Sequence, residues 1–133
     1  MDHQSATEWL DRYVAAWESY DGEQIAALFS EDVVYRYHPY DEPVVGRGAV
    51  VESWLGEGDH EGASERDEPG TYEASYEPVA IDGDTVVATG TSSYRESPGG
   101  EINKVYFNCF VMRFDAEGRC AEYTEWFNRR PAT

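Results

Sequence analysis

The sequence holds four polar side chains that are candidates for acid–base chemistry, namely Tyr13, His38, Asn108 and Glu125. Glu125 alternates along the chain with Tyr123 and Phe127. A carboxylate enclosed by these two rings and by Trp54 would have its pKa raised by loss of hydration, which suits a general base or a general acid. A histidine exchanges protons near neutral pH, whereas a hydroxyl or an amide can hold a carbonyl oxygen or a water. The set predicts proton transfer in which the carboxylate or the imidazole is the base and the other two groups polarise the substrate.

Each of these residues also has a structural interpretation. Glu125 can form a buried pair with Tyr13 or Arg36, because buried charges are usually paired. His38 precedes Pro39 at the end of a strand, where it can be an ordinary edge residue. Tyr13 can pack in the core with its hydroxyl bonded to a neighbour. The residue types alone leave both interpretations open.

Neither a metal nor an organic cofactor is expected at this site. The three histidines, His3, His38 and His60, have no metal-ligand spacing. The sequence contains no nucleophile motif, phosphate-binding loop or dinucleotide fingerprint. Cys109 and Cys120 are expected to be buried free thiols, because the cytosol keeps such thiols reduced and so prevents a disulfide. The candidate chemistry is therefore free of metals and cofactors.

The charge of the chain restricts its partners. It carries 27 acidic residues against nine arginines and a single lysine, Lys104, for a formal net charge of −17. So negative a surface repels phosphate backbones and anionic lipids, so that neither nucleic acid nor membrane is expected as a partner. Repulsion among the carboxylates also destabilises the folded state unless salt screens it, which suggests a halophilic protein. The alternative is an acidic protein of a mesophile.

The remaining large-scale features predict a cytoplasmic domain. Residues 1–133 have the length of one domain with one core. No apolar run approaches the roughly 18 residues of a membrane span. The segment from Met1 to Ser5 has no basic stretch followed by an apolar one, so no secretory signal is expected.

Hydrophobic spacing predicts three helices followed by strands. A first helix is expected over Ser5 to Tyr20, a second after Asp21 with Ile25, Leu28 and Phe29 on its core face, and a third from Gly46. Strands are expected over Val33–Tyr37, Thr71–Ile81, Thr85–Glu96, Glu101–Asp115 and Arg119–Arg129. The acidic segment from Gly56 to Gly70 is expected to be a solvated loop. This order of elements is typical of an α+β fold.

Several short segments in this order resemble the nuclear transport factor 2-like superfamily, which includes SnoaL-type polyketide cyclases and ketosteroid isomerases. The segments are residues 12–17 (RYVAAW), 27–29 (ALF), 31–33 (EDV), 112–119 (MRFDAEGR) and 126–127 (WF). The resemblance implies three N-terminal helices packed on a curved, mostly antiparallel sheet that forms a cone around one apolar pocket.

The resemblance also assigns positions. In a ketosteroid isomerase, Tyr13 would fall on the tyrosine that donates to the steroid oxyanion. His38 falls near the general-base aspartate, offset by one residue, so that Tyr37 can occupy that place instead. The second oxyanion donor, an aspartic acid, corresponds to Phe110. The loss of both acidic groups argues against steroid isomerisation.

The same resemblance places Phe110, Tyr123, Glu125 and Phe127 on the concave face of the sheet, and strand alternation then adds Asn108. The ligand is expected to be a small apolar oxygenated molecule. The residues expected to bind it are Trp17, Tyr35, Tyr37, Trp54, Tyr106, Phe110, Met112, Tyr123 and Phe127.

Two classes of function remain open at this point. The first is a cofactor-free enzyme that isomerises, cyclises, dehydrates or hydrates its substrate. The second is a non-catalytic pocket for a small ligand, or a dimeric interaction module. The convex row Val105, Phe107, Cys109 and Val111, with Trp126, is apolar enough to predict a homodimer through the sheet.

Overall fold

Three helices and six strands make up the part of the chain that the computed structural model describes, residues 1–56 and 70–131. The helices are α1 (His3–Ser19), α2 (Gly22–Ala27) and α3 (Arg47–Trp54). The strands are β1 (Phe29–Arg36), β2 (Val44–Val45), β3 (Tyr72–Asp82), β4 (Thr85–Arg95), β5 (Ile102–Phe114) and β6 (Cys120–Arg129). The predicted order is confirmed, and the two-residue strand β2 is an addition to it. The predicted loop lies, apart from its end residues, outside the described ranges.

All six strands belong to one sheet in the order β2-β1-β6-β5-β4-β3. Every neighbouring pair is antiparallel except β1 and β6, which run parallel. The sheet curls without closing, and the expected α+β class with a curved, mostly antiparallel sheet is confirmed. No helix within residues 1–56 and 70–131 combines the length and the apolar character that a membrane span requires.

The first helix begins two residues earlier than the sequence predicted. Asp2 and Ser5 form a capping box, in which the Ser5 amide donates to Asp2 Oδ1 at 2.8 Å and the Asp2 amide donates to Ser5 Oγ at 3.0 Å. The helix ends where Tyr20 adopts a left-handed conformation with φ of 52°. Asp21 then caps α2 as predicted, accepting from the amides of Glu23 and Gln24.

The placement of Phe29 in the second helix was wrong. Helix α2 ends at Ala27, and Phe29 opens β1 as the partner of Cys120. The Cys120 amide donates to the Leu28 carbonyl at 2.9 Å, which joins this segment to β6. Phe29 is buried in either assignment, so its hydrophobicity alone does not distinguish a helix face from the first residue of a strand.

Helix α1 covers the concave face of the sheet with an aromatic row. Trp9 and Tyr13 are buried on that face, and Trp9 Nε1 donates to the Leu28 carbonyl at 3.0 Å. Trp17 continues the row and stacks on Trp54 of α3, with ring centroids 4.0 Å apart. The helices and the sheet therefore contact each other through aromatic rings, whose polar atoms, such as Trp9 Nε1, point toward the protein interior.

Alternation along β5 fixes the concave side of the sheet. Asn108, Phe110, Met112 and Phe114 are buried, whereas Phe107 is 60% exposed. The predicted phase of β5 is therefore correct, but the phase of β6 is only partly so. Strict alternation from Trp126 would put Cys120 on the convex side, but the register of β6 slips between Glu122 and Cys120 and places Cys120 in the core. Both cysteines are free, with Cys120 buried and Cys109 only half-buried.

Close contact between β3 and β4 depends on one glycine. A Cβ atom at Gly90 would lie 2.0 Å from the Ser75 carbonyl oxygen and 2.5 Å from the ring of Tyr76. Glycine is the residue that allows such an approach. The ring of Tyr76 therefore packs directly against Gly90, and its centroid lies 4.7 Å from that of Phe110 on β5.

Candidate active site

A cavity of about 310 Å³ lies between α1 and the concave face of the sheet. Its volume is at the lower end of the range for small-molecule sites. The described residues that line it are Tyr13, Trp17, Tyr37, His38, Tyr72, Tyr76, Ser92, Tyr94, Lys104, Tyr106, Asn108, Glu125 and Phe127. Six of these are tyrosines, so the wall combines aromatic faces with hydroxyl groups.

All four residues selected for acid–base chemistry line this cavity. So do four of the nine predicted ligand-binding residues, namely Trp17, Tyr37, Tyr106 and Phe127. The other five are corrected to a supporting layer beneath the wall, namely Tyr35, Trp54, Phe110, Met112 and Tyr123, each at most 1% exposed. They are inward-facing as predicted, but the ring of Tyr13 packs over three of them and separates them from the cavity.

Five lining residues were not selected from the sequence, namely Tyr72, Tyr76, Ser92, Tyr94 and Lys104. Alternation does group them, because Tyr72 and Tyr76 share one face of β3 while Ser92 and Tyr94 share one face of β4. Which face is concave depends on the pairing with β5, where Ser92 is the partner of Tyr106. The spacing of these residues was therefore visible in the sequence, whereas the strand register that decides which face is concave was not.

Glu125 accepts two side-chain hydrogen bonds at the wall of the cavity. Asn108 Nδ2 donates to Oε2 at 2.6 Å, and the Tyr123 hydroxyl donates to Oε1 at 3.1 Å. Ser92 Oγ donates to Asn108 Oδ1 at 3.0 Å, which fixes the amide with its nitrogen toward the carboxylate. Neither pairing expected as the structural alternative is present in the described residues: the hydrogen bonds to Glu125 come from Asn108 and Tyr123 rather than Tyr13, and no cation, Arg36 included, pairs with it.

Burial raises the pKa of Glu125 to about 7. Loss of hydration is the main cause, and the hydrogen bonds from Asn108 and Tyr123 partly oppose it because they stabilise the ionised form. A carboxyl group with this pKa exists in both protonation states near neutral pH. It can therefore accept or donate a proton under ordinary conditions.

Two tyrosines extend the network away from the carboxylate. The hydroxyls of Tyr13 and Tyr123 lie 2.8 Å apart. Burial raises the pKa of both phenols well above 10, so both remain neutral. Each hydroxyl has one hydrogen. When Tyr123 donates to ionised Glu125, Tyr13 must donate to Tyr123, and the Tyr13 oxygen is then an acceptor toward the cavity.

His38 is not part of this network. It is exposed at the mouth, where its ring lies 4.8 Å from that of Phe127 by centroid distance. No hydrogen bond joins it to Glu125, Asn108 or Tyr13 in the described part of the chain. Tyr37 also lines the cavity, and its hydroxyl lies 2.7 Å from Ser53 Oγ. The structure brings together Tyr13, Asn108 and Glu125 but leaves His38 apart.

The donor set around the cavity does not resemble a metal site. Among the described residues, no three side chains of the His, Cys, Asp or Glu type are grouped so as to hold a metal ion. The polar groups that converge are instead one carboxylate, one amide, one serine hydroxyl and two phenols. These groups can transfer protons and hold an oxygen atom.

Comparison with known families identifies the domain. The profile of the SnoaL-like domain matches residues 10–123. The chain belongs to the SnoaL-like domain family. The match includes α1 from Leu10 onward, the first strand, and β6 as far as Tyr123, and it ends two residues before Glu125. The resemblance inferred from short sequence segments is thereby confirmed.

Solved structures show the same fold for this SnoaL-like domain. A protein from Kribbella flavida DSM 17836, assigned provisionally as a ketosteroid isomerase, aligns over 99% of this chain and 84% of its own, with a TM-score of 0.66 and 15% identity. An LEH-like epoxide hydrolase from M. tuberculosis aligns over 95% and 84%, with a TM-score of 0.62 and 16% identity. No functionally curated protein matches the sequence.

Proposed function

We propose that this SnoaL-like domain is a cofactor-free acid–base enzyme for a small apolar, oxygenated molecule, of the isomerase, cyclase, dehydratase or hydratase type. The observation that carries the proposal is Glu125, a carboxyl group with a pKa of about 7 at the wall of a cavity that fits a small molecule. A carboxylate needed only for structure would gain more from a cation, and Glu125 has none among the described residues.

In the proposed reaction Glu125 is the base. It removes a proton from the carbon next to a carbonyl group, the C–H pair forms a carbon–carbon double bond, and the carbonyl electrons move to oxygen. Asn108 has two amide hydrogens, of which Glu125 accepts one. The second has no partner among the described residues and can hold the enolate oxygen or a water. Hydration would use the same carboxylate to deprotonate that water.

Protonation of Glu125 changes the direction of the tyrosine chain. A protonated Oε1 donates to the Tyr123 hydroxyl, Tyr123 donates to Tyr13, and the Tyr13 hydrogen turns toward the cavity. Tyr13 thus accepts before the proton is removed and donates afterwards, when negative charge has developed on the substrate oxygen. Donation that arises only after proton removal favours the charged intermediate over the bound substrate.

Hydrogen exchange in D₂O tests the proposed step without knowledge of the natural substrate. We expect the wild-type protein to catalyse deuterium uptake next to the carbonyl of 2-tetralone, followed by proton NMR. For the hydratase type, styrene oxide is the parallel probe, with diol formation as the readout. Glu125→Gln should remove the catalysed rate of whichever reaction occurs. The exposed Glu122→Gln, on the convex face of the same strand, should leave it unchanged.

The pH dependence distinguishes a base from a general electrostatic effect. As the base, Glu125 must be ionised, so the rate should rise with pH, reach half its limit near the pKa of about 7 and fall roughly tenfold for each further unit below that. If neither probe reacts although calorimetry shows that both bind, the acid–base proposal is wrong and the pocket is a non-catalytic binding site.

A further inference from the structure

We infer that the ligand of this cavity carries an anionic group at the end remote from its reacting group, and that Lys104 binds this group. The inference rests on the function proposed above and specifies its substrate class. Lys104 is the only lysine of the chain and lines the cavity. Together with Glu125 it is one of two formally charged residues among the described lining.

The position of Lys104 is defined by the register of the sheet. It lies on β5 opposite Tyr94, and its Nζ stands 5.7 Å from the centroid of that ring. Alternation puts Lys104, Tyr106 and Asn108 on the same concave face. Asn108 is four positions beyond Lys104, which is ~13 Å along the strand. The ammonium therefore stands at the opposite end of the cavity wall from Glu125.

Among the described residues, the ammonium has no anionic partner that would compete with a ligand. Within the described ranges, residues 1–56 and 70–131, no carboxylate lies within ion-pair distance of Lys104. The ion pairs of those ranges all use arginines, namely Arg95, Arg113 and Arg119. In a chain with 27 acidic residues, an unpaired cation over an aromatic ring is available to a ligand anion.

Charge then defines the ligand. The net charge of −17 repels an anion from most of this surface, and ionised Glu125 repels it from the inner end of the cavity. Among the described residues that line the cavity, Lys104 is the one whose charge favours an anionic group. The aromatic wall between the two ends fits an apolar body. The ligand class is a monoanion, such as a carboxylate, whose apolar part reaches from the mouth toward Asn108 and Glu125.

A matched pair of probes tests this inference by calorimetry. We use 6-phenylhexanoate and its neutral isostere 6-phenylhexanamide, which differ in charge but little in shape. The wild-type protein should bind the carboxylate ~5-fold more tightly, the value expected for one partly exposed ion pair. Lys104→Met should reverse this preference with little effect on amide binding, and Lys104→Arg should restore it. Arg113→Met removes the same charge from the convex face and should leave the preference intact.

The outcomes separate this inference from the proposed catalysis. Equal ratios in the wild-type protein and Lys104→Met, or a wild-type preference for the amide, would overturn the role of Lys104 while leaving Glu125 untouched. If the carboxylate preference depends on Lys104 but the protein catalyses no hydrogen exchange, the inference about Lys104 is supported and only the catalytic proposal is wrong. If neither probe binds the wild-type protein, the inference is overturned.

Discussion

Asn108 and Glu125 stand on neighbouring antiparallel strands and are joined by a hydrogen bond of 2.6 Å from Nδ2 to Oε2. The pair is diagonal, since Glu125 is the backbone partner of Phe110 and Asn108 is the partner of Phe127. Diagonal neighbours on one face are within reach of polar side chains of this length. The bond holds the carboxylate at the cavity wall without neutralising its charge.

Removal of the Asn108 amide should raise the pKa of Glu125 further. The amide stabilises the ionised form, and a hydrogen bond to a charged group contributes enough to move a pKa by roughly one unit. In Asn108→Ala the rising limb of the exchange rate should therefore shift upward in pH by about that amount. Ser92→Ala keeps the amide and should shift it less. An unchanged midpoint in Asn108→Ala would show that the amide does not control the carboxylate.

Glu125→Gln should change how stability depends on pH. Because burial raises the native pKa to about 7 from an ordinary 4.5, the native state retains a proton that the unfolded chain releases between these values. The free energy of unfolding of the wild-type protein therefore falls as pH rises through this window, by ~2 kcal/mol between about pH 5 and pH 8 for this group. Glu125→Gln has no ionisable group at this position, so its free energy of unfolding should not show this fall.

Urea denaturation of both proteins across this range measures the difference. The free energy of unfolding of Glu125→Gln, relative to wild type, should increase by that amount as pH rises. Glu122→Gln, whose side chain is 59% exposed, is the control and should show no such trend. A difference that stays constant with pH would mean that Glu125 has an ordinary pKa in the folded protein.

The helices and the order of the elements along the chain could be predicted because they depend on local spacing. The concave face of β5 and β6 was instead assigned from the family resemblance. The resemblance placed Glu125 and Phe110 on this face, and alternation from Phe110 then added Asn108; both Asn108 and Glu125 line the cavity. The slip at Cys120 was not predictable, since a bulge of one residue has no hydrophobic signature. The capping box was visible in principle, as Asp2 precedes Ser5 by three residues.

Two site features depend on contacts between distant segments and could not be predicted. Tyr13 was chosen by resemblance to an oxyanion donor. While Glu125 is ionised, however, the hydrogen of Tyr13 is directed to Tyr123, which lies 110 residues further along the chain. Lys104 stood out only as the single lysine. Its location at the cavity mouth depends on the pairing of β5 with β4.

Salt should stabilise the folded protein. Screening lengths fall from ~10 Å at 0.1 M to ~3 Å at 1 M, which relieves repulsion among the 27 carboxylates. Each kcal/mol of relief should raise the melting temperature by roughly 4 °C for a chain of this size. Melting curves in a potassium chloride series, with sucrose at equal osmolality as the control, measure the effect. A flat or falling melting temperature would contradict both this mechanism and the proposed halophilic adaptation.

We propose that the convex face forms a homodimer. Phe107, Val111 and Trp126 are 60%, 37% and 44% exposed on that face, and such a group of apolar side chains favours burial against a second copy. Light scattering in molar potassium chloride should give twice the 15.0 kDa of one chain. Phe107→Asp should give the monomer, whereas Tyr40→Asp, at a fully exposed position off the sheet, should not. A monomeric wild-type protein at high concentration would end this proposal.

The titration of Glu125 itself tests the central claim most directly. Carbon-13 NMR of glutamate-labelled protein follows each side-chain carboxyl carbon with pH, and the Glu125→Gln variant identifies the signal that belongs to this residue. We expect a midpoint near pH 7, well separated from those of exposed glutamates. A midpoint near 4.5 would mean that Glu125 is fully ionised at neutral pH and cannot be the proton-exchanging group of the cavity.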